Sequence, residues 1–294
     1  MIEKMIKRLG LAGLTLTLLT GGAFADTQQT IAFWNGNKTQ VRQVYERKLL
    51  DAVLNATVKA HGPFAVSENT ETLTNREESD VFTDQNTDVF VTVAGNPKLR
   101  NKDKIVVAQP LMKGLLGHRL LIVRKQDLPR FDNIQTEAAF KQLSIGIPDG
   151  WADAELFRHN GYNVVEGGTF DEIFDLLAAK KFDYVALGAN EIEQAFESRA
   201  EKYEMFSIEP TTLLYYPFAL VFYVNPEKPA LAERLREGLE AVEQSGEAQR
   251  LFDEATGNLI ERLNLTDRKV FHLQNPMLPE TLQKYRSPLL NEPD

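Results

Sequence analysis

The 294-residue chain contains no cysteine, which excludes a disulfide framework, a lipid-anchoring thiol and any Cys-His or thiolate-metal chemistry. Histidine is scarce as well: His61, His118, His159 and His272 are scattered, and no two stand at a metal-ligand spacing. Basic charge is in deficit, with 33 Lys and Arg against 42 Asp and Glu for a net charge of −9. An acidic surface argues against nucleic acid and anionic lipid as partners, since both require basic patches. The sequence has no G-x-S-x-G elbow, no phosphate loop, no internal repeat and no low-complexity tract. Past the first residues there is no long apolar run, so no membrane span and no cofactor are expected.

What is present begins with an address. Lys4, Lys7 and Arg8 precede an apolar run at 9–20, and Ala23-Phe24-Ala25 has the small-x-small form of a cleavage site. Residues 1–25 are therefore expected to be a secretory signal cut after Ala25, which places the mature protein in the periplasm. The apolar run falls short of the roughly 20 residues needed to cross a bilayer. Losing three basic and one acidic residue takes the net charge from −9 to −11. The remaining chain, about 270 residues, fits one large domain or two modest ones and is long enough to bury a core without disulfides.

Periodicity favours two units. "TIAFW" (30–34) reads as a strand, followed by helical spacing of Val41, Val44, Tyr45, Leu49, Val53, Leu54 and Val58, a stop at Gly62-Pro63, and further strands at "FAVS" (64–67) and "DVFVTV" (88–93). A second series alternates more regularly: strands "SIGIP", "NVV", "DYVAL" and "EMFSI", with helices expected near 152–160, 169–181 and 189–199. Strict alternation implies a parallel sheet with helices on its faces. The apolar segments "GLLGHRLLIVRK" (114–125) and "LLYYPFALVFYVN" (213–225) enter and leave this series, as a double hinge requires. Two helices follow, from 229 to 246 and from 247 to 265, and should pack on the first unit because no new strand set is visible. The expected fold class is α/β with two lobes, each a doubly wound mixed sheet, joined by two hinge crossings. Lobe 1 is assigned 26–117 plus 223–294, and lobe 2 the inserted 118–222. From Asn275 onward the Pro- and Leu-rich tail is expected to run over the surface.

In open doubly wound sheets ligands bind outside the carboxyl ends of the strands. Four such ends are rich in Gly or Asn: Trp34-Asn35-Gly36-Asn37, Ala94-Gly95-Asn96-Pro97, Asp149-Gly150-Trp151-Ala152-Asp153 and Gly188-Ala189-Asn190-Glu191. They hold both tryptophans, and Thr92 lies next to last in the strand before the second. Gly150 lets backbone approach a ligand, Trp151 offers a flat apolar wall, and Asp149 or Asp153 an acceptor. Against this, Asp149 also suits a helix N-cap, Asp153 and Glu155 suit a first helical turn, and Trp34 and Trp151 suit a core. Arg100 has the chemistry to grip a carboxylate, or is a solvated charge beside Lys98, Lys102 and Lys104. Tyr215 and Tyr216 lie at the return hinge, where they either close on a ligand or pack the hinge. A carboxylate pair such as Asp149 with Glu191 would serve hydrolysis, though no spacing demands it.

Taken in order, "DVFVTVAGNPKLR", "KGLLGHRLLIVRK", "IGIPDGWADAELFRHNGYNVV", "FDEIFDLLAAKKFDYVALGANEI" and "YYPFALVFYVN" resemble the periplasmic solute-binding proteins of the polar-amino-acid type, extracellular solute-binding protein family 3. The resemblance covers most of the chain after residue 25. It implies a monomer of two α/β lobes closing on a small polar solute, an amino acid or derivative, for a membrane permease of an ABC-type system or a receptor. It implies no enzyme activity. It also places Arg100 where that group carries the arginine that holds a ligand carboxylate. The chain departs from the pattern at Trp151 and Asp153, where small hydroxyl residues are usual. It departs again at Gly188, where a carboxylate is usual and Glu191 is the nearest acid. The extra acid predicts a cationic or polar ligand. Implied site residues are Trp34, Asn35, Thr92, Gly95, Arg100, Gly150, Trp151, Asp153, Asn190, Glu191 and Tyr216. A sensor module and a cleft hydrolase are the competing readings.

Overall fold

The computed structural model describes residues 28–289; the signal segment and cleavage site expected from the sequence lie outside the described residues. Among the described residues, twelve strands form two separate mixed sheets. The first contains β1 (Gln29–Trp34), β2 (Phe64–Asn69), β3 (Val89–Val93), β4 (Ile105–Leu111) and β11 (Leu220–Val224), in the order β2-β1-β3-β11-β4. Strand β1 lies parallel to β2 and β3, and β11 runs antiparallel to β3 and β4. The second contains β5 (His118–Arg124), β6 (Ser144–Ile147), β7 (Asn163–Glu166), β8 (Tyr184–Gly188), β9 (Phe206–Ile208), β10 (Thr212–Tyr215) and β12 (Lys269–His272). Its order is β12-β10-β5-β8-β6-β7, with β9 on β5. The two-lobed α/β arrangement expected from the alternation of elements is the one observed.

The helix Gln40–Ala56 buries Tyr45, Leu49, Leu50, Val53 and Leu54 against the helix Pro229–Gln244, which turns Leu231, Leu235, Leu239 and Val242 inward. The first helix breaks at Thr57 and resumes as Val58–His61. The Thr57 hydroxyl donates back to the carbonyl of Leu54 at 3.0 Å and accepts from buried Arg234 at 3.1 Å. Such back-bonding competes with the helical ladder, and periodicity alone does not reveal it.

The chain leaves the first sheet between β4 and β5 and returns between β10 and β11. Neither passage is a continuous extended segment. Met112, Lys113 and Gly114 turn through the left-handed region (φ 53°, 49° and 69°), and the segment around Pro217 breaks β10 from β11. After the terminal helices the chain passes over again: β12 pairs in parallel with β10, from Thr212 opposite Lys269 to Tyr215 opposite His272. Residues 269–272 therefore belong to the second sheet, which corrects the assignment of all of 223–294 to lobe 1. An open strand edge at β10 recruits them, and the Phe271 ring is fixed 5.4 Å from Phe140. Nor does the tail beyond lie loose on the surface. Leu278 and Leu282 are buried in the cluster of Trp34, Phe90 and Tyr223.

His118 opens β5, fully buried with its ring 5.0 Å from Tyr215. Burial pushes its imidazole down to about 4. Unfolded histidine titrates near 6.5, so between the two values the unfolded chain binds a proton that the folded protein does not. Stability should therefore fall as pH drops through that window, by up to about 3 kcal/mol for this group. Urea melts of wild type and His118→Phe at neutrality and at about pH 5 check this: the variant should lose less between the two pH values. An equal loss in both would locate the pH dependence elsewhere.

Candidate functional site

A cleft of about 660 Å³ separates the lobes. On the first lobe its wall is made by the ends of β1 and β3 and by the turn that starts the helix Gln40–Ala56. Trp34 is nearly buried. Its Nε1 donates to the carbonyl of Glu71 at 3.0 Å and its ring packs 5.4 Å from Phe90, so it presents little more than an edge. Asn37 exchanges two hydrogen bonds with the backbone of Leu73, at 2.8 and 2.9 Å, which pins the loop forming the cleft rim. Beneath it, buried Glu78 accepts from Lys98 at 2.8 Å, Asn37 at 3.1 Å and Asn96 at 3.2 Å, and Asn96 also donates to Thr92 Oγ1 at 3.0 Å.

The second-lobe wall is the loop after β6 and the helix Ala152–His159. Gly150 has φ +74°, and a Cβ there would stand 2.3 Å from Asn75 Nδ2 across the cleft. Asn75 in turn donates to the carbonyl of Asp149 at 3.3 Å. Glycine is needed here because this is where backbone of one lobe meets the other. Trp151 is half-buried, its ring 5.2 Å from Phe170, and the Arg199 guanidinium lies over the Phe170 ring at 4.6 Å. The lobes also meet where Val41 N donates to Gln194 Oε1 at 3.1 Å and where Arg100 donates to both oxygens of Glu155 at 2.7 Å.

The floor is a chain of buried charges. Glu46 accepts from Lys38 Nζ at 2.6 Å and from Arg42 Nε and Nη2 at 3.0 and 2.8 Å. Arg42 Nη1 faces Glu191 Oε2 at 3.9 Å, and Glu191 Oε1 faces Arg119 Nη1 at 3.6 Å. Arg119, only 1% exposed, donates through Nη2 to Asp153 Oδ1 at 2.6 Å and through Nε to Tyr216 Oη at 2.7 Å. Tyr216 completes the triangle by donating to Asp153 at 2.5 Å. Arg119 also packs over the rings of Tyr216 and Phe218, 5.5 and 5.1 Å from their centroids. Burial disfavours the Arg119 charge, yet Asp153, Tyr216 and Glu191 outweigh it and hold the guanidinium firmly protonated. The Tyr216 phenol is pushed well above its ordinary range, first by burial. Burial likewise lowers Lys38, opposed by Glu46.

Of the residues expected at the site, Trp34, Thr92, Gly150, Trp151, Asp153 and Glu191 line the cleft. The other five do not, each for a local reason. Asn35 is buried behind β1, where its Nδ2 donates to the carbonyl of Gln43 and to Glu68 at 2.9 and 2.7 Å. Gly95 (φ +79°) lies under the tail, 1.9 Å from Met277 O to a notional Cβ. Asn190 is buried against the Met112 sulfur, and Tyr216 stands behind Arg119. Arg100 is 57% exposed on the rim, paired with Glu155, so it does not face into the cleft. Among the lining residues that escape sequence reasoning are Lys38, Thr39, Arg42 and Arg119. The one signal for Arg119 was a charge set inside an apolar strand.

No family model and no curated protein matches the chain. Solved structures do. A histidine kinase sensor domain with similarity to periplasmic binding proteins superimposes with a TM-score of 0.56 at 14% identity, covering 79% of this chain and 98% of that one. An ancestral arginine-binding protein bound to arginine gives 0.54 at 15% identity, over 78% and 99%. An arginine third transport system periplasmic binding protein from Legionella pneumophila gives 0.53 at 14%, over 78% and 99%. At such identities the likeness is one of fold: the two-lobed architecture of periplasmic binding proteins.

Proposed function

We propose that this protein is a periplasmic solute-binding protein, acting as a monomer, that closes its lobes on a small polar solute and presents it to a membrane permease of an ABC-type importer. The observation that carries this reading is the charge chain on the cleft floor, half of it on each lobe. Six acidic and basic side chains taken out of water are weak stabilisers compared with apolar packing, so their gathering at a cleft points to recognition. The amino-acid and arginine binders among its structural neighbours support an amino acid or derivative as the solute class. Catalysis is not part of the reading: of the carboxylates considered for hydrolysis, Asp149 is exposed at the rim and Glu191 faces Arg42 and Arg119. A sensor role is the second reading, favoured by the likeness to a kinase sensor domain.

Both tryptophans line the cleft, so binding should change their emission. A solute at a hundredfold excess over its Kd should stabilise the fold by about 2.7 kcal/mol, raising the melting temperature by roughly 5–10 °C. Amino acids, polyamines, sugars and small anions all giving neither signal would sink the proposal. Deleting the protein from cells separates the two readings: loss of solute uptake supports transport, and intact uptake with a lost response to the solute supports sensing.

A further inference from the structure

We infer that the solute carries an oxyanion, a carboxylate or a tetrahedral group, seated between Arg119, Arg42 and the start of the helix Gln40–Ala56. This rests on the solute-binding reading and departs from the cationic or polar ligand that the acids at 149–153 suggest. Of these acids the buried one is spent: Asp153 is occupied by Arg119 and Tyr216, whereas Asp149 is exposed at the rim, with only its backbone carbonyl taken by Asn75.

Two donors on the cleft floor are unspent, beside the loosely held Glu191 carboxylate. Arg119 Nη1 and the Thr39 hydroxyl are buried without a hydrogen-bond partner among the described residues, and both residues line the cleft. Thr39 is 5% exposed and stands at the N-cap of a 17-residue helix without making the capping bond available to it. At the helix start the Val41 N–H is taken by Gln194 Oε1, while those of Gln40 and Arg42 have no intrahelical acceptor, and the positive end of the helix dipole stands at the cleft. Arg42 Nη1 and Arg119 Nη1 converge on Glu191 from opposite lobes, at 3.9 and 3.6 Å. Both separations are too long for a hydrogen bond. Two guanidinium groups share one carboxylate that satisfies neither, and a second oxyanion would be held by charge-assisted bonds from both. Because Arg42 and Thr39 belong to one lobe and Arg119 to the other, the seat is complete only when the lobes meet. Anion capture and closure are then the same event.

The test titrates the full mature protein, by melting and tryptophan emission, with L-arginine and succinate, their amides L-argininamide and succinamide, inorganic phosphate, sulfate, putrescine and glucose. An oxyanion should bind, and for a carboxylate its amide should bind roughly tenfold to a hundredfold more weakly. Phosphate or sulfate binding without the carboxylates assigns a tetrahedral solute. Thr39→Val should leave the melting temperature without ligand unchanged or higher, since it removes an unpartnered hydroxyl, while weakening the bound oxyanion by roughly tenfold. Arg119→Lys, which keeps the charge beside Asp153 but loses Nη1, should weaken it further. Putrescine, glucose or an amide binding as well as any oxyanion, or an oxyanion indifferent to Thr39→Val and Arg119→Lys, overturns the seat and leaves the solute-binding reading standing. Silence across the whole panel overturns both.

Discussion

Asp153→Ala should destabilise the folded protein by about 3–5 kcal/mol, the cost of stranding a buried guanidinium. In a chain of this size that lowers the melting temperature by roughly 6–20 °C. The size of the effect follows from how little else holds Arg119. With Asp153 gone, Tyr216 Oη at 2.7 Å is its one remaining direct partner, and Glu191 stands off at 3.6 Å. Water does not rescue a group that is 1% exposed. A matched pair of apolar substitutions, Arg119→Met with Asp153→Leu, should recover more than half of the loss, because removing both charges removes the uncompensated one. Urea midpoints for the two single variants and the double close the cycle. A single variant within about 1 kcal/mol of wild type would mean that the pair is solvated in the working protein.

The same residues show how far the site could be read from the chain. Strand ends are legible because strands are short apolar runs and ligands gather at their carboxyl ends, so the loops carrying Thr92, Gly150, Trp151, Asp153 and Glu191 were found. Gly and Asn at such ends have two uses, however. Gly95 takes its left-handed φ to pass under the tail and Asn35 locks β1 to the neighbouring helix, and neither role leaves a mark distinct from ligand approach. Arg119 was hidden for the opposite reason: inside "HRLLIVRK" it reads as part of a strand, and its meaning depends on Asp153 and Tyr216, 34 and 97 positions away. Counting along a family pattern placed Arg100 at the ligand, yet its side chain reaches over the rim to Glu155 instead. The alternation that identified two lobes failed at β12, where four residues are too few to carry a period.

The tail is where that failure has the largest physical consequence, and ending the chain after Gln274 should cost stability on the same scale as the Asp153 substitution. Leu278 and Leu282 are buried against the cluster that contains Trp34 and Phe90. Removing them withdraws roughly 1.5–3 kcal/mol of apolar burial each, by the usual value for a buried leucine. Beyond them, Ser287 donates from its hydroxyl to the carbonyl of Lys113 at 2.7 Å and from its backbone N–H to Tyr215 Oη at 3.0 Å. Asn275 donates to the carbonyl of Pro217 at 2.9 Å. The tail therefore grips both passages between the lobes, including the left-handed turn at Met112 and Lys113, a conformation that costs on the order of 1–3 kcal/mol per residue and persists only where its surroundings enforce it. Truncation should lower the urea midpoint and, in the protein without ligand, broaden the lobe separations seen by small-angle scattering. Gly95→Ala provides a gentler probe, since its Cβ would collide with Met277 O and lift the tail while leaving every tail residue in place. It should reproduce both effects in part. A truncated protein that melts and scatters like wild type would show that the cleft is held by its rim contacts alone, and that the tail only covers Trp34.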